Sequence, residues 1–285
     1  MFGGCTLKVF VYGTGVMGKG ISQVFAKNNH DVFLYNPTVE NAIIALKNIE
    51  RDFDSLVSKG KLSKDDMEKS MSRIKVIKTI EEATDVDLVI EAVSENLDVK
   101  KEKFEEVDQI IDKRAVFATN TSSLSITELA VVTNRPDKVI GLHFFNPAPI
   151  MDLVEIISSM TTSTETISFA KKITLEIGKI PVLVEEAPGF IVNRMLIPMI
   201  NEAISIYSEG IATIEDIDIA VKRGANHPMG PLALADLIGL DICLNIMDTL
   251  HSEFGVDKYT AHPLLRKMVR GNKLGRKTKE GFYIY

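Results

Sequence analysis

The chain of 285 residues holds only two cysteines, Cys5 and Cys243. Their spacing suits neither a disulfide framework nor a zinc site, so a reducing, cytoplasmic setting is expected. Excess positive charge is also missing: 33 Lys and Arg stand against 39 Asp and Glu, for a formal net charge of −6. That balance works against loose binding to nucleic acid. No apolar run reaches the roughly 18 residues of a membrane span, and the N-terminus lacks the charged and apolar regions of a signal peptide. Repeats and low-complexity tracts are absent. The length suits a sizeable core and two domains.

What is present begins near the N-terminus. An apolar run, Leu7 to Tyr12, leads straight into Gly13-Thr14-Gly15-Val16-Met17-Gly18 and then into a helical pattern. Between strand and helix this is the phosphate-binding turn of a dinucleotide-binding domain. The first glycine permits the tight turn, the second lets the backbone approach a pyrophosphate, and the third lets helix and strand pack closely. The alternative is that the glycines merely make a tight turn. A second strand, Asp31 to Tyr35, ends about 20 residues on, where the motif wants an acid for the ribose. Asn36 stands there instead.

Further apolar runs, Ile74 to Ile77, Leu88 to Ala92, Val116 to Ala118 and Lys138 to Leu142, alternate with helical patterns. The alternation predicts a Rossmann-type, largely parallel sheet covered by helices. A charged helical insertion, about 40–70, breaks near Gly60. Leu153 to Ile157 and Ile180 to Val184 read as two more strands around a helix, Thr164 to Ile177. From Gly189 onward the periodicity is helical, with breaks at Gly210, Asn226 to Pro231, Gly239 and Gly255. The expected organisation is an α/β domain over 1–187 and an all-helical domain over 188–285, parted at Pro188-Gly189. The C-terminal edge of the sheet, where such domains would meet, is the default place for a ligand.

Of the five histidines, His143 stands out because it follows the run Lys138 to Leu142 and so falls at that edge. A satisfied loop histidine is the plainer reading. His227 is the next candidate, in what reads as a helix-to-helix turn. A dehydrogenase acting on an alcohol needs a base near neutral pKa, and histidine suits it. A carboxylate beside the imidazole would fix its tautomer. Glu155 is available, although a charge inside an apolar strand reads first as facing solvent. Asn120-Thr121-Ser122-Ser123 offers hydroxyls at the same edge, or an ordinary helix N-cap cluster, with Ser125 and Glu128 at capping-box spacing. Asn193 opens the first apolar helix after the boundary, where it caps the helix or faces a cleft.

These pieces occur within longer motifs: Asn120 to Thr127, Gly141-Leu-His-Phe-Phe-Asn-Pro-Ala-Pro149, Glu186-Ala-Pro-Gly-Phe-Ile-Val-Asn-Arg194, Ala225-Asn-His-Pro-Met-Gly-Pro231, and Gly275-Arg-Lys to Gly281-Phe-Tyr283. In their order and spacing the chain resembles the 3-hydroxyacyl-CoA dehydrogenases, in particular the short bacterial 3-hydroxybutyryl-CoA dehydrogenases, over nearly its whole length. The resemblance implies reversible NAD-dependent oxidation of an L-3-hydroxyacyl-CoA to the 3-ketoacyl-CoA. It implies His143 as catalytic base, Glu155 as its partner, and Ser122 and Asn193 as substrate contacts. Gly13, Gly15, Val16, Met17, Gly18, Asn36, Glu95, Lys100 and Asn120 would bind the cofactor. Relatives usually carry Asp at position 36, so Asn36 implies weaker discrimination against NADP; no Arg follows it to hold a 2′-phosphate. Basic residues of the insertion would hold the coenzyme A phosphates. Among Lys47, Arg51, Lys59 and Lys61, Arg51 is the first choice, against a merely solvated helix.

The absence of a hydratase-like segment implies a single activity. The aliphatic richness of Leu232 to Leu244 points to a homo-oligomer through the helical domain, or to an ordinary core. Competing readings are a dehydrogenase of a free hydroxy or sugar acid on the same scaffold, and a noncatalytic nucleotide-binding paralogue.

Overall fold

A computed structural model describes residues 6–285, and Cys5 lies outside them. The chain divides into two compact units, one ending at Ala187 and the other Pro188–Tyr285.

In the first unit the order is β1 (Lys8–Tyr12), α1 (Val16–Lys27), β2 (Asp31–Tyr35), α2 (Val39–Ser58), α3 (Lys64–Ser72), β3 (Ile74–Val76), β4 (Leu88–Glu91), α4 (Leu97–Ile110), β5 (Val116–Thr119), α5 (Ile126–Ala130), β6 (Val139–Phe144), β7 (Leu153–Ser158), α6 (Thr164–Glu176) and β8 (Ile180–Glu185). The strands form one sheet in the order β3-β2-β1-β4-β5-β6-β7-β8. Every neighbouring pair is parallel except β6 with β7. The central strands are near-continuous apolar runs because helices cover both their faces; Val9, Phe10, Val11, Leu88, Ile90, Phe117, Ala118 and Ile140 are fully buried. The chain order reverses between β1 and β4, which places a crevice at their C-terminal ends, beside Gly13.

One expectation needs correcting. The strand read as Lys138 to Leu142 runs on to Phe144, so His143 lies inside β6 rather than after it. The pairing with β7 carries the strand through a polar residue, because the antiparallel ladder supplies backbone partners as far as Phe144, opposite Val154.

At the opposite edge of the sheet, His30 is 4% exposed. Its Nδ1 accepts the Leu7 amide at 3.1 Å, and its Nε2 has no hydrogen-bond partner. Burial, with a smaller push from Arg73, lowers its pKa against the opposing pull of Glu176 and Asp31. The folded unit therefore binds a proton here less readily than the unfolded chain does. Its contribution to stability is present above the unfolded value, about 6.5, and is lost as pH falls from there through the lower folded value. Thermal melting should drop as pH is lowered from about 6.5. His30→Asn, which keeps an acceptor for Leu7, should flatten that drop, and an unchanged pH dependence would refute the assignment.

The second unit comprises α7 (Val192–Ser208), α8 (Ile214–Gly224), α9 (Pro231–Ile238), α10 (Leu240–Phe254) and α11 (Pro263–Arg270). Ile200, Ile204, Leu232, Ala235, Leu240, Cys243, Met247 and Leu250 form its core. Burial pushes the Cys243 thiol up to about 12, which leaves it unreactive. The C-terminal motif is a packing device: Asp236 accepts the amides of Phe282 at 2.9 Å and Tyr283 at 2.8 Å, while Asp218 accepts the Tyr283 hydroxyl at 2.9 Å. Among the described residues no helix is long and apolar enough to cross a membrane.

Candidate active site

Gly13 has φ +121°, and a Cβ there would strike the Ala92 backbone, its carbonyl carbon 2.7 Å away. At Gly18 a Cβ would run into the Gly13 carbonyl, while at Gly15 it would meet nothing within 4 Å. Two glycines of the motif are thus required by the protein's own packing. The third keeps open a space outside it. Gly15 caps α1 without a side-chain hydrogen bond, and no acid occupies the first turn, so the first amides of α1 are available to an anion. Val16 is exposed and Met17 packs on the core. The cradle fits the pyrophosphate of a dinucleotide.

The same contacts predict opposite behaviours for two small substitutions. Gly18→Ala should destabilise by about 2 kcal/mol through overpacking, a fall of roughly 4–8 °C in Tm. Gly15→Ala should melt as the parent does yet bind NADH about tenfold or more weakly, because its methyl occupies the space the pyrophosphate needs. Calorimetric melting and NADH titration would separate the two, and equal melting losses would contradict this division.

At the end of β2, Asn36 donates from Nδ2 to Thr14 Oγ1 at 2.9 Å and accepts the Thr38 amide at 2.9 Å. At the end of β5, Asn120 Oδ1 accepts the Phe144 amide at 2.9 Å, which ties the tip of β5 to the tip of β6.

His143 and Glu155 are directly opposite one another in the β6–β7 ladder, so their side chains leave the sheet on the same face. His143 Nδ1 lies 2.7 Å from Glu155 Oε2, with the two side chains 8% and 1% exposed. An ionised carboxylate only accepts, so Nδ1 carries the proton and Nε2 is left as the basic nitrogen. The solvent-facing reading of Glu155 is corrected here: the antiparallel return strand gives the charge a buried partner. Phe145 packs on the imidazole, ring centroids 4.4 Å apart.

A second buried group lies at the ends of β4 and β5. Lys100 is 1% exposed and reaches Glu91 at 2.7 and 2.9 Å and Glu95 at 3.3 Å. Glu91 also accepts the Val93 amide at 2.6 Å and the Thr119 hydroxyl at 2.7 Å. Glu95 Oε1 accepts the Thr121 hydroxyl at 2.6 Å, the Ser122 amide at 2.8 Å and the Ser122 hydroxyl at 3.2 Å. Burial alone would raise the Glu95 carboxyl, but the Lys100 ammonium, the Thr121 hydroxyl and the Ser122 amide hold it below its ordinary value. Glu95 is therefore an anion tethered to Ser122, and Lys100 acts from behind it.

The N-cap reading holds one step downstream. Ser125 accepts the Glu128 amide and caps α5, but the box does not close, because Glu128 pairs with Lys101. Glu186 instead accepts the Thr127 amide at 2.9 Å and the Ser125 hydroxyl at 2.5 Å. Arg51 and Lys47 are both exposed on α2. Asn193 is the second residue of α7 in the helical unit, and His227 lies between α8 and α9. Sequence reasoning passed over Glu91, Thr119, Phe145 and Thr14. Only Glu91, an acid closing an apolar strand, carried a visible signal.

Comparison with known proteins places this arrangement. Residues 8–187 match the 3-hydroxyacyl-CoA dehydrogenase NAD binding domain, and residues 189–285 match the C-terminal domain of the same family. A 3-hydroxybutyryl-CoA dehydrogenase of Clostridioides difficile is 53% identical, across 98% of this chain and 99% of that one. The human mitochondrial hydroxyacyl-coenzyme A dehydrogenase is 42% identical, across 97% and 90%. The crystal structure of (S)-3-hydroxybutyryl-CoA dehydrogenase from Ralstonia eutropha superposes with a TM-score of 0.95 at 42% identity, covering 99% of each chain. On both of its units, this chain belongs to the 3-hydroxyacyl-CoA dehydrogenase family.

Proposed function

We propose that the chain catalyses the reversible, NAD-dependent oxidation of a short-chain L-3-hydroxyacyl-CoA, 3-hydroxybutyryl-CoA above all, to the 3-ketoacyl-CoA. The observation that carries the reading is the buried 2.7 Å pair of His143 and Glu155 in a chain that this family matches over residues 8–187 and 189–285. When bound, the nicotinamide exchanges a hydride with C3 of the substrate. In oxidation His143 Nε2 takes the proton of the 3-hydroxyl, and in reduction it returns that proton to the ketone oxygen. Glu155 holds Nδ1–H and stabilises the imidazolium. Ser122, held by Glu95, orients the reacting oxygen. Asn193 donates to the acyl oxygens, where negative charge gathers.

NAD is the cofactor whose binding domain the chain carries, with Gly13, Gly15 and Gly18 supporting the pyrophosphate. With an amide at position 36 in place of a carboxylate, discrimination against NADP is weak. Arg51 and Lys47, exposed on α2, are the groups offered to the coenzyme A phosphates. Ile211, Ile219, Leu237 and Ile242, exposed on the helical unit, support self-association there, and light scattering of the purified protein tests it.

The reaction is tested by supplying L- and D-3-hydroxybutyryl-CoA with NAD. Reduced nicotinamide should accumulate with the L isomer alone. Equal rates with both isomers, or none with either, would refute the assignment.

A further inference from the structure

We infer that Thr14 and Asn36 form a hydrogen-bond-donating edge that takes the 2′-phosphate of NADP at the adenosine ribose. The inference rests on the dinucleotide reading of the first unit and deepens it. In folds of this kind the residue that ends β2 meets the ribose hydroxyls, and a carboxylate there accepts from them and repels a 2′-phosphate. Asn36 follows directly on β2 and is half-buried, as is Thr14.

The orientation of the Asn36 amide follows from its partners. The Thr38 N–H points at it from 2.9 Å, and only the carbonyl oxygen can accept, so Oδ1 faces Thr38. Nδ2 then faces Thr14 Oγ1, 2.9 Å away. Nδ2 keeps a second N–H. Thr14 Oγ1, accepting from Asn36, keeps its own proton to donate. An Asp at position 36 would offer acceptors; this pair offers donors. A ribose hydroxyl can use either kind of partner, whereas a phosphate dianion can only accept.

Pro37-Thr38 contributes no cation, so the edge reads hydrogen-bond polarity rather than charge. Each charge-assisted bond to the phosphate is worth about tenfold in affinity. That suffices to bring the two cofactors close together and falls short of strict NADP dependence.

The test is isothermal titration of the purified protein with ADP-ribose and with 2′-phospho-ADP-ribose, followed by steady-state rates with NADH and NADPH. The two fragments should bind within about tenfold of one another. Asn36→Asp should shift the ratio toward ADP-ribose by about 100-fold. Thr14→Val should shift it the same way by about tenfold. A parent protein that binds ADP-ribose more than about 1,000-fold tighter than the phosphorylated fragment overturns the inference and leaves the dinucleotide reading standing. So does a Thr14→Val protein that loses both fragments equally. Failure of the folded parent to bind either fragment or NADH overturns both.

Discussion

Replacing His143 with Gln should lower turnover on the order of 1,000-fold, within the range a positioned general base supplies. That corresponds to about 4 kcal/mol of the activation barrier. Gln keeps a polar group of similar reach but cannot accept and return a proton. The buried pocket beside Phe145 needs no large rearrangement to hold it, so Tm and NADH affinity should stay near the parent values. Steady-state kinetics with acetoacetyl-CoA, run beside an NADH titration, check this. A turnover number within about fivefold of the parent would remove His143 from the chemistry, since loss of a general base costs about 100-fold at the least.

Glu155→Gln should cost about 100-fold in turnover with little change in KM, because the loss falls on the transition state. A neutral amide can donate to Nδ1 as readily as accept from it. That allows the tautomer with Nε2 protonated, in which the ring is no longer a base toward substrate, and it also removes the charge that stabilises the imidazolium. Glu155 is 1% exposed, and breaking a buried pair costs stability as well, about 3–5 kcal/mol when an uncompensated charge is left. In Glu155→Gln the amide keeps a hydrogen-bonding group within reach of Nδ1 and adds no charge of its own, so Tm should fall far less than that figure implies. A variant that melts much earlier but turns over at the parental rate at low temperature would make Glu155 a structural residue only.

The parts legible in the sequence are those decided by local pattern. The parallel strands could be read because burial on both faces leaves near-continuous apolar runs, as in β1 and β4, and the glycine turn because strand, spacing and helix agree around it. The His143–Glu155 pair was not legible from pattern. The two residues meet through the antiparallel register of β6 with β7, a nonlocal fact, and Glu155 taken alone looks like a solvent-facing charge. The resemblance to a family, rather than periodicity, singled them out. The donor orientation of Asn36 depends on the Thr38 amide and the Thr14 hydroxyl, neither of which composition reveals. Lys100 lies behind Glu95, clamped by Glu91, because a buried ammonium needs more than one carboxylate oxygen to offset its lost hydration. Arg51 and Lys47 share the exposed side of one helix, and exposure alone does not choose between them.

The most direct test of the account follows the loss of reduced-nicotinamide absorbance when the protein meets NADH with acetoacetyl-CoA, beside an equal concentration of free acetoacetate. The account predicts rapid oxidation with the thioester, little with the free acid, and near-complete loss of the thioester rate in His143→Gln. Turnover of free acetoacetate at a comparable rate, or thioester turnover that survives loss of His143, would contradict it.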